Sequence, residues 1–215
     1  MAGCCSKQGY DEFFTEKTAR RDAWWYRRFG LDRTSRRLVG FLARRNLRGA
    51  TAVDVGGGVG ILSLALLKAG AEGVVTVDLS SGYDQSAHEL AREAGVENRI
   101  ERRILDFAEQ ADELPSVDVV VMHRVVCCYP DYESLLAAAA GRAERLLAFS
   151  FPRRTWWIRC GATLMNAVGR LQGTDFRGYV HPPERLVAAA ESHGLRQTLD
   201  HEGWFWCVAG FERST

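Results

Sequence analysis

The sequence predicts an α/β fold, in which a mostly parallel sheet of seven strands carries helices on both faces, ends in an antiparallel hairpin and is preceded by N-terminal helices. Three observations predict it. Short β-branched runs alternate with helical segments from residue 51 onward, which is the pattern of a parallel sheet. A cluster of glycines follows the first of these runs, as in sheets that bind nucleotides. Near the C-terminus, two strand-like runs flank a turn.

The N-terminal part of the chain has helical character. Residues 10–29 mix charged with aromatic side chains, and Gly30 follows as a helix stop. A second helix is predicted over residues 32–45. We expect residues 1–46 to form a helical lid or cap that belongs to the same domain as the sheet, which takes up residues 47–215.

The middle of the chain repeats a strand, a loop and a helix. Apolar and β-branched runs predict five parallel strands, at residues 51–55, 74–77, 99–105, 117–122 and 146–151. Helices are predicted between them, over residues 61–70, 86–94 and 132–143. After the fifth strand, residues 156–178 are expected to form a helix and a loop that covers the substrate.

The C-terminal part is predicted to complete the sheet. The Pro182-Pro183 pair opens a helix, and residues 195–199 and 204–211 form the terminal hairpin. Trp204 and Trp206 alternate with Phe205 in the second strand of this hairpin, so we expect both tryptophans in the core.

Composition excludes several classes of function. With 215 residues, of which 47% are hydrophobic, the chain is long enough for a single domain with one sizeable core. The 28 Lys and Arg against 27 Asp and Glu give a net charge of +1, without the basic excess that favours nucleic-acid binding. The longest apolar runs are far shorter than a membrane-spanning helix, and the first residues lack a secretory signal. We therefore expect a cytoplasmic protein with no nucleic-acid or membrane partner, with a homodimer left open.

The glycine cluster is the most informative feature. Residues 54–60 read Asp-Val-Gly-Gly-Gly-Val-Gly at the point where the first strand ends and a helix begins. Gly56, Gly57, Gly58 and Gly60 let the main chain approach a ligand closely, and the helix amino terminus offers N–H donors. Counted from the first of these glycines, a dinucleotide-binding G-x-G-x-x-G would end at an isoleucine. The loop therefore favours an adenosine-containing ligand other than a dinucleotide.

Three carboxylates follow the ends of three consecutive strands. Asp54, just before the loop, would repel a pyrophosphate but suits a ligand with an ammonium and a sulfonium group. S-adenosylmethionine (SAM) carries both cations, and methyl transfer from it leaves S-adenosylhomocysteine (SAH). Asp78, followed by Leu79, is expected to accept hydrogen bonds from both ribose hydroxyls. Asp106 is expected to bind the adenine amino group while Phe107 packs on the ring; a helix N-cap is the alternative for Asp106.

These residues resemble the first motif of the class I SAM-dependent methyltransferases, which has the form (D/E)-x-G-x-G-x-G. The likeness covers a Rossmann-like core over residues 47–211, so it implies that fold and SAM as cofactor. Within the family, the chain is similar to the magnesium-protoporphyrin IX O-methyltransferases through four short motifs, at residues 128–130, 143–145, 150–152 and 177–181. It departs from that branch at Cys128, where the branch has a histidine, so the likeness does not extend to a porphyrin acceptor.

Methyl transfer to a hydroxyl or a thiol needs a base, in addition to alignment of the reactants and exclusion of water. His123, at the end of the fourth strand, lies beside the expected position of the methyl group. We expect it to contact the cofactor and to act as the base, since a histidine titrates near neutral pH. The alternative is a histidine held by hydrogen bonds under a loop. Arg124 is expected either to hold a carboxylate of the acceptor or to form a surface ion pair.

The expected acceptor is a small, largely apolar or aromatic molecule that is methylated on oxygen. Large rings suit such a molecule, and Trp25 lies on a helix before the sheet, where many small-molecule methyltransferases have a lid. Tyr129 and His181 are candidates through the resemblance. The full set of expected acceptor contacts is Tyr10, Trp25, Arg124, Cys128, Tyr129, Trp157 and His181.

Two other functions stay open. An NAD(P)-dependent oxidoreductase shares the first strand and loop, although the missing third glycine and the charge on Asp54 count against it. A SAM-binding module without catalysis would use the pairs Cys4-Cys5 and Cys127-Cys128, with His123, to hold a metal or a thiophilic substrate. Adjacent cysteines in a strand point to opposite faces, so we predict no metal site.

Overall fold

The computed structural model describes residue 10 and residues 14–214. Seven strands form a sheet in this part of the chain: β1 (Thr51–Val55), β2 (Gly73–Asp78), β3 (Ile100–Ile104), β4 (Val117–Met122), β5 (Ala143–Pro152), β6 (Leu195–His201) and β7 (Trp206–Arg213). Their order across the sheet is β3-β2-β1-β4-β5-β7-β6. Strands β1 to β5 run parallel, whereas β7 is antiparallel to both β5 and β6. The predicted α/β fold with its terminal antiparallel hairpin is confirmed.

Helices flank the sheet on both faces. They are α1 (Glu16–Phe29), α2 (Arg33–Ala43), α3 (Ile61–Lys68), α4 (Asp84–Glu93), α5 (Phe107–Gln110), α6 (Tyr132–Arg142), α7 (Trp156–Leu171) and α8 (Pro183–Glu191). Short 3-10 turns at Glu97–Arg99 and Ala111–Glu113 complete the connections. Within the described ranges, every helix is too short or too polar to cross a membrane.

Strand β4 shows why the central strands are apolar throughout. Val119 and Val121 point into a hydrophobic cluster with α2 and α3, whereas Val120 and Met122 point into a second cluster with α6 and α8. Side chains alternate between the two faces of a strand, so a strand with helices on both sides buries all of them. The sheet is therefore covered on both faces at its centre.

The second N-terminal helix is part of the core. Phe41 of α2 is 1% exposed, and its ring fills the space beside Gly210 of β7, where a Cβ atom would lie 2.5 to 2.8 Å from the ring carbons. Only a glycine permits this close approach. Helix α2 is thus packed on the sheet as tightly as the helices that connect the strands.

Several element boundaries differ from the sequence prediction. The predicted helix over residues 10–29 is not continuous, because Thr15 caps a helix that begins at Glu16. Strand β7 begins at Trp206, so Trp204 precedes it and is 78% exposed. The expectation of a core position for Trp204 is wrong: its ring stacks on Trp157 at the surface, with centroids 4.9 Å apart. Helix α5 was not predicted, because four residues give no periodic pattern.

Candidate active site

A cavity of about 900 Å³ opens at the carboxyl ends of β1, β2 and β4. From β1 the chain builds β2 and β3 on one side of the sheet and β4 and β5 on the other. The carboxyl edge beside β1 is therefore the switch point at which open α/β sheets bind ligands. Residues of α1 and α2 close the cavity from above this edge.

Most residues singled out from the sequence line this cavity. Its wall includes the cofactor candidates Asp54, Gly56, Gly57, Gly58, Asp78, Leu79, Asp106, Phe107 and His123 and the acceptor candidates Tyr10, Trp25, Arg124, Cys128 and Tyr129. Three candidates lie elsewhere. Gly60 is the N-cap of α3, with a positive φ of 81°, and neither Trp157 nor His181 lines the cavity.

The glycine-rich loop has backbone angles and contacts that require glycine. Gly56 and Gly58 have positive φ angles of 65° and 55°. A Cβ atom on Gly57 would lie 2.4 Å from Thr76 Cγ2 and 3.0 Å from Asp54 Oδ2. The main chain itself therefore forms this part of the cavity wall.

Asp54 is buried beneath the loop and is 1% exposed. Its Oδ2 accepts hydrogen bonds from the amide of Ser63 at 3.1 Å and from its hydroxyl at 2.8 Å. Among the residues that the structure describes, none donates to Oδ1. Burial raises the pKa of Asp54 to about 6, against the opposing effect of the Ser63 hydrogen bonds. An unsatisfied buried oxygen is costly, so Asp54 offers an unused acceptor to a cationic ligand.

Asp78 is held at the end of β2 by two donors. Its Oδ2 accepts from the amide of Gly58 and from the guanidinium of Arg102, both at 3.1 Å. Arg102 also donates to Asp84 at 3.0 Å and to the carbonyl of Gly58 at 3.1 Å, so it ties β3 to the loop. Burial raises the pKa of Asp78 to about 7, although the charge of Arg102 opposes this shift.

Asp106 adopts the alternative that the sequence allowed. It caps α5, because Oδ1 accepts from the amide of Ala108 at 3.0 Å. The hydroxyl of Tyr129 donates to both carboxylate oxygens, at 3.0 and 3.1 Å. Burial and the charge of Asp106 raise the pKa of Tyr129, so this phenol keeps its proton. Tyr129 therefore links the turn after β4 to the residues that follow β3.

His123 is enclosed between two hydroxyls. Nδ1 lies 2.9 Å from Ser150 Oγ, and Nε2 lies 3.2 Å from Ser35 Oγ. Asp32 Oδ2 lies 3.9 Å from Nε2. Burial lowers the pKa of His123 and outweighs the opposing effect of Asp32, so the imidazole is neutral near pH 7. The first turn of α2 thus contacts the histidine directly.

Arg124 has the left-handed φ of 61°, which is uncommon for a residue with a side chain. Its guanidinium forms an ion pair with Asp32 and lies 5.1 Å from the centre of the Trp206 ring. The same aspartate accepts the amide of Ser35 at 2.7 Å and caps α2. Arg124 therefore makes the surface ion pair that was the alternative to binding an acceptor carboxylate.

The aromatic candidates divide into two groups. The hydroxyl of Tyr10 donates to the carbonyl of Cys128 at 2.7 Å, and Trp25 lines the mouth of the cavity with 52% of its surface exposed. Trp157 stacks on Trp204 outside the cavity. His181 supports the wall from behind, because its Nε2 lies 3.1 Å from the carbonyl of Tyr129.

Cys127 and Cys128 are not neighbours in a strand, in contrast to the expectation from the sequence. They lie in a turn in which the amide of Cys128 donates to the carbonyl of Val125 at 2.8 Å, and their Sγ atoms are 3.7 Å apart. In the described part of the chain, no three His, Cys, Asp or Glu side chains form a group suited to a metal. Cys4 and Cys5 lie outside the described residues.

Three contributors to the site were missed from the sequence. Ser35 contacts His123, Arg102 holds Asp78, and Tyr83 lines the cavity while its hydroxyl donates to Asp22 at 3.1 Å. Of these, Arg102 left a signal, since a charge in the middle of a predicted strand indicates a buried ion pair. The other two side chains reach the site only through tertiary packing.

Comparison with known proteins gives partial matches. The family model for ribosomal protein L11 methyltransferase (PrmA) matches residues 30–125. The ubiquinone biosynthesis O-methyltransferase of Methylococcus capsulatus is 38% identical over 103 residues, which are 47% of this chain and 42% of that protein. The ribosomal protein L11 methyltransferase of Alteromonas mediterranea is 50% identical over 56 residues, which are 26% of this chain and 19% of that protein. The chain thus spans less than half the length of these two relatives.

A solved structure matches over nearly the whole chain. The magnesium protoporphyrin IX methyltransferase of Synechocystis PCC 6803, crystallised with SAH, has a TM-score of 0.70 at 24% identity, over 93% of this chain and 100% of that one. This likeness concerns the fold. The match to the family model ends at residue 125, so the turn with Cys128 and Tyr129 lies outside it.

Proposed function

We propose that this chain, which has the fold and the first motif of the class I SAM-dependent methyltransferases, transfers the methyl group of SAM to an oxygen of a small, largely apolar or aromatic molecule. The observation that carries the proposal is the cavity in which the glycine loop and its carboxylates face an aromatic wall. Its volume of about 900 Å³ is near the upper end for ligand pockets, which leaves room for a cofactor and a second molecule.

The residues at the loop fit SAM. Asp54 Oδ1 lacks a partner among the described residues and suits a cationic group, while Asp78 has one oxygen engaged and one left for ribose hydroxyls. Asp106 and Phe107 would flank the adenine, and the loop amides would lie along the ligand. When bound, SAM supplies a methyl group activated by its sulfonium charge. The chain has to orient the acceptor and exclude water.

His123 is the residue that we propose as the base. In the tautomer whose Nδ1–H donates to Ser150, Nε2 carries the lone pair and faces Ser35. An acceptor hydroxyl that displaces the Ser35 contact would pass its proton to Nε2. Asp32, 3.9 Å away, would then stabilise the imidazolium. The lowered pKa of His123 favours this role, because a base must be unprotonated before it acts.

A protein acceptor is the second candidate. The family model describes ribosomal protein L11 methyltransferases, and four of the relatives found have that name. Residues 30–125, which that model covers, include the glycine-rich loop, Asp78 and Asp106, whose expected task of binding SAM is the same in methyltransferases for small molecules and for proteins. The aromatic residues Tyr10 and Trp25 favour a small molecule, since flat rings stack on such side chains. The missing third glycine of the dinucleotide motif and the buried carboxylate of Asp54 count against an oxidoreductase, and we do not propose that activity.

The test combines binding with turnover. Calorimetry should detect SAM and SAH but not NADH, and SAH should form with hydroxylated aromatic compounds and not with ribosomal protein L11. Binding of NADH without SAM would reject the cofactor assignment. SAH formation with L11 and with none of the aromatic compounds would reject the acceptor class while leaving the cofactor assignment intact.

A further inference from the structure

Ile158 is the one fully buried side chain of helix α7, and Asn166 exchanges two hydrogen bonds of 2.8 Å with the main chain of Gly178. Five large apolar side chains on this helix are instead exposed to solvent: Trp156 by 77%, Leu164 by 67%, Met165 by 46%, Val168 by 42% and Leu171 by 89%. Single exposed apolar residues are ordinary, but a group of them on one helix marks an interaction surface.

Four of these side chains form one stripe. At 100° per residue, Trp156, Leu164, Val168 and Leu171 fall within an arc of about 120°, whereas Met165 falls outside it, beside Ile158. Trp157 lies in the same arc, and its ring stacks on exposed Trp204, which extends the apolar surface beyond the helix. With 16 residues, α7 presents this stripe over about 24 Å. The stripe is thus an outward face and not the face that packs on the domain.

The charges of α7 indicate what binds the stripe. Arg159 and Arg170 border it on one side, and the helix contains no Asp or Glu. Tryptophan and leucine on one face beside arginine are the composition of helices that lie in the plane of an anionic membrane interface. A second copy of the chain is a poorer occupant, because a two-fold axis at the stripe would bring like-charged arginines together.

We propose that α7 binds the surface of an anionic lipid bilayer, with Trp156, Leu164 and Leu171 inserted at the level of the headgroups. The segment after α7 leads to the cavity, where the amide of Tyr179 donates to the carbonyl of Cys127 at 2.7 Å. Attachment through α7 therefore places the acceptor side of the cavity close to a phase in which apolar molecules dissolve. The attachment itself does not depend on the methyltransferase activity.

The test is co-sedimentation of the full chain with vesicles of phosphatidylcholine alone or with 30% phosphatidylglycerol. We expect at least tenfold more bound protein with the anionic vesicles, and a loss of this preference in Arg159→Gln/Arg170→Gln. The double variant Leu164→Ser/Leu171→Ser should bind at least tenfold less. Ile104→Ser, which removes an apolar side chain with 41% exposure from β3, is the matched control and should bind like the wild type.

Each contrary result would overturn the membrane proposal. Absence of binding to both kinds of vesicle would do so, as would equal binding by the leucine variant. A dimer in light scattering that Leu164→Ser/Leu171→Ser converts to a monomer would assign the stripe to a second copy. Calorimetry with SAH on the same preparations keeps the two proposals separate, since unchanged SAH affinity shows that the variants are folded.

Discussion

The two sides of the cavity are built in different ways. On the cofactor side, the loop after β1 and the residues after β2 are fixed by main-chain conformation and by nearby hydrogen bonds, as in the contact between Gly58 and Asp78. On the acceptor side, the wall joins segments that are far apart in sequence. Tyr10 contacts Cys128, and Ser35 contacts His123. The first side depends on backbone geometry and the second on packing between elements.

This difference explains why the cofactor can be recognised by similarity to known proteins more readily than the acceptor. A loop that excludes side chains needs glycine at fixed positions, and such a pattern persists among proteins with different acceptors. The match to the family model covers residues 30–125, which include the cofactor side together with Ser35 and His123, but neither Tyr10 nor Cys128 of the acceptor side. An acceptor wall that is assembled from distant segments leaves no comparable pattern, so its chemistry has to be tested.

The largest effect is expected at the loop. In Gly57→Val, the new side chain would collide with Thr76 and Asp54, and we expect calorimetry to detect no binding of SAH. Gly141→Ala is the control, because a Cβ atom at Gly141 meets no atom within 4 Å. Its SAH affinity should match the wild type and its melting temperature should not fall, since alanine favours a helix more than glycine does. Wild-type affinity in folded Gly57→Val would show that the cofactor does not contact this loop.

The next largest effect is expected on kcat, from a substitution of His123 on the acceptor side. His123→Gln should lower kcat by a factor of about 10² to 10⁴, the usual contribution of a general base, while SAH affinity changes less than about threefold. Ser35→Ala removes a partner of the imidazole but leaves the base, so its kcat should fall far less. If both variants lose the same fraction of kcat, His123 only positions α2 and is not the base.

A smaller effect is expected on SAM affinity, from a substitution of Asp78 on the cofactor side. Asp78→Ala removes the expected acceptor for two ribose hydroxyls, worth about 1 to 3 kcal/mol each, so SAM should bind at least about thirtyfold more weakly in calorimetry. Asp84→Ala is the matched control, because it also removes a partner of Arg102 but does not line the cavity. Equal losses in the two variants would attribute the effect to Arg102 rather than to Asp78.

The sheet and the cofactor side could be predicted from the sequence, whereas contacts between distant elements could not. The apolar run of β4 and the glycines of the loop each have a local physical reason, so they can be recognised without the structure. Trp204 shows the limit. Its alternation with Trp206 has the period of a strand, but the strand begins two residues later than the pattern suggests. The contact between Ser35 and His123 has no local reason, since it depends on how α2 packs on the sheet.

The affinity for SAM should depend on pH through the two buried carboxylates of the cofactor side. Burial raises the pKa of Asp78 to about 7 and that of Asp54 to about 6. Both carboxylates are expected to bind SAM in the ionised form, so affinity should rise with pH and be lost progressively below pH 7. The loss approaches tenfold per unit below the first pKa. Calorimetry between pH 5.5 and 8 measures it, and Asp78→Asn should remove the step near pH 7. A flat profile in the wild type would contradict this assignment.

The smallest effect concerns the aromatic edge of the acceptor side. Trp25 lines the cavity mouth, whereas its neighbour Trp24 has a similar exposure, 54% against 52%, and does not line it. Trp25→Ala should raise the KM of the acceptor about three- to tenfold, since a stacked ring is worth about 1 kcal/mol, with kcat and SAH affinity unchanged. Trp24→Ala should leave all three quantities unchanged. Because the two rings contact each other, with centroids 5.1 Å apart, an equal rise of KM in both variants would mean that the pair acts through the shape of α1 and not through contact of Trp25 with the acceptor.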